Sequence, residues 1–361
     1  MEVAHSLNTV TSFYTHPFSR PQEMPVKKEA TFKCKCLLHL VYIKCRKIFI
    51  YIKNTIIKAI QKFNDSNKSI LSLVALKNDY IASSSMGDFA IKLWLTTSSN
   101  KPRKLLGHTA IVTCLVALNE GQLIASGSRD KTIKIWNIFS RNCVRTMVGH
   151  LSWVLCLAEI NEYCLASGSA DNLIKIWNVS NSELIRTITG HSDWITCLVW
   201  IRKKETILAS GSKDNTIKLW NTQTGDLIRT LVGHFNTVLS LLILNNGLLA
   251  SSSADSSIKL WNYTDNGKDL KTLQSQSKVN RIEILNNGYL ASGHQDGSIK
   301  IWDTNNGSLC RKIEGSAGLC DLLCYLIRPS SVLNLVVLEN GFLVSGHSNG
   351  CIRIRDACYE I

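Results

Sequence analysis

The stretch Leu123 to Asn137, LIASGSRDKTIKIWN, decides how the chain is read. An aliphatic run ends in Ser126-Gly127-Ser128, turns at Arg129-Asp130-Lys131 and resumes as Thr132-Ile133-Lys134-Ile135-Trp136. Apolar and polar residues alternate after the turn, which is the period-two mark of a strand. The stretch predicts two short antiparallel strands joined by a tight turn that carries an aspartate.

The pattern recurs. Its tryptophan stands at Trp94, Trp136, Trp177, Trp220, Trp261 and Trp302, at intervals of 42, 41, 43, 41 and 41 residues. Six residues before each stands an aspartate: Asp88, Asp130, Asp171, Asp214, Asp255 and Asp296. A degenerate seventh copy, VSGHSNGCIRIRD, has Asn349 and Arg355 in those two places. A fixed period just above forty residues, all strand and turn, means an array of small sheets. One such unit cannot bury its own faces, so the units must stack on one another.

Four copies are preceded by Gly-His: Gly107-His108, Gly149-His150, Gly190-His191 and Gly233-His234. Gly-His before the first strand and Trp-Asn or Trp-Asp after the third resembles the WD-repeat family of β-propellers. The resemblance runs from about Ser69 to the C-terminus. It implies an all-β fold, a single seven-bladed propeller over 55–361, behind a non-propeller N-terminal extension at 1–54. Each repeat then supplies an inner strand, a second strand, a third strand ending in tryptophan, and an outer strand. Asn246-Gly247, Asn287-Gly288 and Asn340-Gly341 fit the first hairpin, where Asn-Gly predicts a type I′ turn.

In that family an N-terminal strand commonly completes the last blade. Residues 55–63, TIIKAIQKF, precede the first repeat where an outer strand belongs, and Ala357 to Ile361 is nearly too short for the task. Closure is therefore expected through 55–63, which removes exposed strand edges.

The formal charge is +14, and residues 1–67 hold half of it, with 11 Lys and Arg against 4 Asp and Glu. Such an excess bears on loose attraction to acidic partners and not on fold. Residues 1–32 read as disordered, and no signal peptide is visible. Within 33–54, Leu38, Val41, Cys45, Ile48 and Ile52 share one helical face. That basic amphipathic segment either packs on the propeller or makes weak contact with a membrane surface. A transmembrane span is not expected, because Lys44, Arg46 and Lys47 would each cost about 2.5–3.5 kcal/mol at mid-bilayer.

The 13 cysteines show no disulfide-framework or zinc spacing. Cys114, Cys156 and Cys197 occupy one repeat position and read as small apolar core residues. Reduced thiols point to an intracellular, cytoplasmic setting. From Trp302 to Arg355 is 53 residues, so Ala317 to Ile327 reads as an insertion in a blade-to-blade loop.

Histidine, serine and aspartate recur together as His108/Ser126/Asp130, His150/Ser167/Asp171, His191/Ser210/Asp214 and His234/Ser251/Asp255. One such set would suggest a hydrolase triad. Four in register argue for a brace that every blade needs. The resemblance implies that these residues, with Trp136, Trp177, Trp220 and Trp261, form a buried hydrogen-bond chain. Repeats one, six and seven lack Gly-His and flank the closing seam, so the ring is expected to open there first. His294 and His347 read as surface turn residues. No Gly-rich phosphate loop, metal set or paired-carboxylate site appears, so no cofactor, metal or catalytic residue is assigned. No aromatic-and-basic pattern specific to nucleic acid appears either.

What remains is surface. Ile111, Trp153, Trp194 and Thr237 stand at one offset after Gly-His, where the inner strand starts near the central channel. Arg129 and Lys213, just before the turn aspartate, point to the same face. Trp153, Trp194, Arg129 and Lys213 are therefore the candidate protein-binding patch. The alternative is that both tryptophans pack between inner strands. The expected function is a non-enzymatic scaffold that assembles a complex with other proteins, of open identity and oligomeric state. A membrane-surface adaptor and a substrate-recognition subunit of a ubiquitin ligase are the alternatives.

Overall fold

The structure, a computed structural model, describes residues 61–64, 68–98, 101–201, 206–264, 269–313 and 330–356. The extension at 1–54 with its basic segment 33–54, and the insertion at Ala317 to Ile327, lie outside these residues.

Each repeat folds as one four-stranded antiparallel sheet. In the second, the strands are Val112–Leu118, Leu123–Ser128, Thr132–Asn137 and Cys143–Val148, in that order from the centre outward. Seven such sheets are present among the described residues. We number them as blades one to seven, starting at Ile70. The inner strand of each blade neighbours that of the next, and the inner strand of blade seven packs on that of blade one. The fold is thus a closed seven-bladed, all-β propeller. A 3-10 turn at Asn119–Gly121 is the helical element among the described residues.

Closure runs through the N-terminal side. Gln61–Asn64 pairs antiparallel with Cys351–Asp356, with Gln61 opposite Ile354 and Asn64 opposite Cys351. The expected closing stretch 55–63 overlaps this strand at its C-terminal end, while 55–60 falls outside the described residues. Phe63 is buried and its ring lies 5.3 Å from that of Trp94 in blade one. The closing strand therefore packs across the seam as well as pairing within blade seven.

The core is divided into seven slabs, one at every blade-to-blade interface. The repeated tryptophan belongs to the slab shared with the preceding blade: Trp136 of blade two packs with Ile91, Leu93 and Leu105 of blade one. The Ser-Gly-Ser glycine explains how closely the blades approach. A Cβ on Gly127 would lie 2.6 Å from both Cys114 Sγ and Val154 Cγ1, the latter in the next blade. Blades three, four, six and seven repeat that fit at Gly168, Gly211, Gly293 and Gly346.

Polar staples cross the interfaces near the channel. Thr196 Oγ1 donates to Val238 O at 2.5 Å, and Thr113 Oγ1 donates likewise to Val154 O. Asn280 Nδ2 donates to Val332 O at 2.8 Å, and Asn334 Nδ2 to Leu71 O at 2.9 Å across the seam. At the outer wall, Arg145 Nε donates to Ser180 O at 2.8 Å, and Arg186 Nη1 to Thr224 O at 2.8 Å. Lys271 Nζ reaches Asn305 O at 2.7 Å in the same manner.

One turn differs from expectation. Asn-Gly was expected to form the central pair of a type I′ turn, with both residues at positive φ. Positive φ is found at Gly247, Gly288 and Gly341, but not at the asparagines before them. Gly247 N donates to Leu244 O, and Leu244 N to Leu248 O, each at 2.9 Å. The loop thus has three residues, a type I turn followed by glycine in the left-handed region.

Candidate functional site

The His-Ser-Asp-Trp sets lie inside the blades. In blade two, His108 Nδ1 is 2.7 Å from Asp130 Oδ2, and His108 Nε2 is 2.7 Å from Ser126 Oγ. Trp136 Nε1 donates to the same Ser126 Oγ at 2.7 Å. Blade three repeats this through His150, Asp171, Ser167 and Trp177. Blade four uses His191, Asp214, Ser210 and Trp220, and blade five His234, Asp255, Ser251 and Trp261.

The four histidines and serines are buried. Burial pushes the imidazoles of His191 and His234 below their ordinary range, against the pull of Asp214 and Asp255. They are neutral at pH 7. With the ring proton assigned to Nδ1, each ring donates to the aspartate and accepts from the serine, which accepts from the indole. Burial raises the Asp171 carboxyl, but the hydrogen bonds from His150, Leu151 and Leu173 outweigh it and hold it at about 2. The same balance lowers Asp130, Asp214 and Asp255.

The reading of His294 and His347 as surface residues is corrected. Both are fully buried. His294 Nε2 lies 2.8 Å from Ser292 Oγ, and His347 Nε2 lies 2.9 Å from Ser345 Oγ. Each histidine follows its serine by two on one strand, so both side chains share a face. Blades six and seven therefore draw from the second strand the imidazole that blades two to five take from Gly-His. Blade one keeps the bond from Trp94 Nε1 to Ser83 Oγ at 2.8 Å.

The channel mouth is built by a bond repeated in every blade. The residue before the aspartate turn donates its N–H to the residue before the inner strand. Arg129 is tied to Ile111, Ala170 to Trp153, Lys213 to Trp194, Ala254 to Thr237 and Gln295 to Lys278. Met86 is tied to Ser69, and Ser348 to Ser331. Two residues per blade thus circle the mouth in fixed register.

This register brings the four candidate patch residues together. Trp153 and Trp194 meet edge to face, with centroids 5.8 Å apart. The Arg129 guanidinium lies 4.4 Å from the Trp153 ring centre, and Lys213 Nζ 4.6 Å from that of Trp194. The order is cation, ring, ring, cation. Such contacts contribute about 0.5–1 kcal/mol each at exposed sites and hold the rings in place. Trp194 remains 38% exposed, and Trp153 is half-buried. Leu151 and Phe235, each just after a Gly-His, are exposed apolar residues.

Lys278 was missed from the sequence. It stands in blade six where Trp153 and Trp194 stand in theirs, but no Gly-His precedes it. Counting back one residue from the inner strand Val279–Ile284 would have found it.

Cys114, Cys156 and Cys197 are buried, and burial raises the thiols of Cys114 and Cys197 to about 12. They fill space under the Ser-Gly-Ser glycines. Among the described residues no group of acidic, histidine and cysteine side chains could hold a metal. No helix of the described residues is long and apolar enough to cross a membrane.

No curated protein matches the sequence. The solved structures that match number 1792 chains, so the fold alone selects no partner. The WD40 beta propeller domain of Doa1 is similar at 24% identity and a TM-score of 0.70, over 81% of this chain and 95% of that one. That likeness is one of fold. The family model of the neurobeachin beta propeller domain matches residues 60–325, well over half of the chain. This chain belongs to the neurobeachin beta-propeller family, whose domains are of the WD40 type.

Proposed function

We propose that the chain is a non-enzymatic scaffold that docks another protein on the channel-mouth face, through Trp153, Trp194, Arg129 and Lys213. The observation that carries the reading is the cation–ring–ring–cation stack, with Trp194 open to solvent. Large rings held rigid before a partner arrives lose little side-chain freedom on binding. Tryptophan and arginine dominate energetically important contacts between proteins. The exposed side chains of Leu151 and Phe235 extend the apolar area around the stack. WD40 propellers generally bind other proteins, which agrees with this reading. The four His-Ser-Asp sets are committed to bracing blades, which leaves them no substrate to meet.

The membrane-surface and ubiquitin-ligase alternatives have no observation in their favour among the described residues. The test is affinity capture with the full chain, comparing wild type with Trp153→Ala plus Trp194→Ala. The expected result is loss of the captured proteins by a variant that still melts as a folded protein. Capture of the same proteins by the folded double mutant overturns the assignment.

A further inference from the structure

We propose that the hollow between Trp194 and Lys278 on the channel-mouth face receives an acidic side chain, bearing a carboxylate or a phosphate, from a peptide segment of the docked partner. The inference rests on the mouth-face docking reading and adds the chemistry of what is docked.

The hollow follows from the mouth register. Blades four, five and six place there the pairs Trp194/Lys213, Thr237/Ala254 and Lys278/Gln295. The middle pair is small and its neighbours are large. A cavity of about 790 Å³ results, walled by Trp194 and Lys213 on one side and by Lys278 and Gln295 on the other. That volume suits one or a few side chains rather than a folded element.

Its lining donates hydrogen bonds and carries positive charge. Lys213 and Lys278 line it, and no carboxylate does. Among the described residues Lys278 has no ion-pair partner. Asn236 Oδ1 accepts the Thr237 N–H at 2.8 Å, which leaves the amide NH2 as its free donor. Gln276 adds an exposed amide. The equivalent of Asn236 in blade four is Asp193, whose Oδ1 accepts the Trp194 N–H and whose Oδ2 lies 3.5 Å from Lys213 Nζ. That ion pair is long and exposed, so an incoming anion displaces it at little cost.

A cationic ligand is disfavoured on two grounds. Arg129 and Lys213 already lie over the ring faces that would attract it. Lys278 would repel it. An oxyanion placed between the two ammonium groups gains charge-assisted hydrogen bonds from both.

The experiment uses the full chain and immobilised synthetic peptide libraries, identical except for a central Glu, phosphoserine, Ser or Lys. Binding is read for wild type, Lys278→Glu and Trp153→Ala plus Trp194→Ala, with thermal melting to show that each variant is folded. Wild type is expected to hold the Glu or the phosphoserine library about tenfold more tightly than the Lys library, about 1.4 kcal/mol. Comparing those two acidic arms separates a carboxylate from a phosphate. Lys278→Glu is expected to reverse the preference while capture persists. The tryptophan double mutant is expected to lose capture of all four libraries.

Capture without an acidic preference, or a preference that Lys278→Glu leaves in place, overturns this inference alone. Capture that survives in the tryptophan double mutant overturns the mouth-face docking reading. Binding to phosphatidylserine vesicles with no peptide capture assigns the cations to a lipid surface and overturns both.

Discussion

Ser167 Oγ takes the Trp177 indole N–H at 2.8 Å and meets His150 Nε2 at 2.7 Å, so one hydroxyl joins two buried groups. Removing it leaves both without a partner. Ser167→Ala is expected to cost about 2–4 kcal/mol, since an orphaned buried polar group forfeits its desolvation cost as well as its bond. Urea unfolding measures this, and a loss below about 1 kcal/mol contradicts the brace. Acid weakens the same chains by a defined route. Burial and nearby Lys300 hold His294 down to about 4, against an ordinary 6.5. Between those values the unfolded chain binds this proton and the native chain does not. Its contribution is therefore whole above pH 6.5 and drains as pH falls towards 4. A second stage follows between 3.8 and 2, where Asp171 is protonated in the unfolded chain first. Thermal midpoints across pH 7 to 4 should fall less steeply in His294→Gln than in wild type. Equal slopes would contradict the assignment. The quartets were legible because equal spacing repeats them. His294 and His347 stand outside the Gly-His spacing, and only their period-two relation to Ser292 and Ser345 marks them as brace residues.

The shortest element closes the ring. Gln61–Asn64 has four residues, yet it satisfies the outer edge of blade seven and sets Phe63 against Trp94. Phe63→Ala removes a buried ring at the seam and should cost about 3 kcal/mol. Urea unfolding reads this, and a change within about 0.5 kcal/mol, typical of surface sites, would mean the strand is dispensable. The closing role was visible in the sequence because 55–63, TIIKAIQKF, stands before the first repeat where an outer strand belongs. Its register was not, because strand ends are fixed by pairing with Cys351–Asp356 rather than by local pattern. The outer-wall clamps were also hidden. In LIRTI and LIRTL the arginine reads as one polar position of an alternating strand. Its reach to a carbonyl of the next blade exists only once blades stand side by side. The Asn-Gly turns were assigned to the right hairpins but one residue out of register, because glycine alone takes the left-handed conformation.

Across the whole molecule, the apolar core lies between blades rather than within them, since every core slab belongs to two sheets. The period gave the number of repeats, and stacking follows because one unit cannot cover its own two faces, whereas closure into a ring came from the resemblance to WD-repeat propellers. The mouth was legible only in part. Trp153, Trp194, Arg129 and Lys213 stood out by residue type and offset, whereas the hollow beside them arises from the small Thr237 and Ala254 and could be found only in three dimensions. Blades two to five each carry a full His-Ser-Asp-Trp chain, while blade seven lacks the tryptophan and the turn aspartate. Arg355 stands in place of that tryptophan, with its Nη1 buried and without a hydrogen-bond partner among the described residues. Asn334 offsets this in part by stapling blade seven to blade one. Amide hydrogen exchange across the full chain tests the closed, mutually supported ring most directly. Protected inner strands are expected in all seven blades, with exchange slowest within 150–235 and fastest in blades seven and one. Fastest exchange within 150–235 would contradict it.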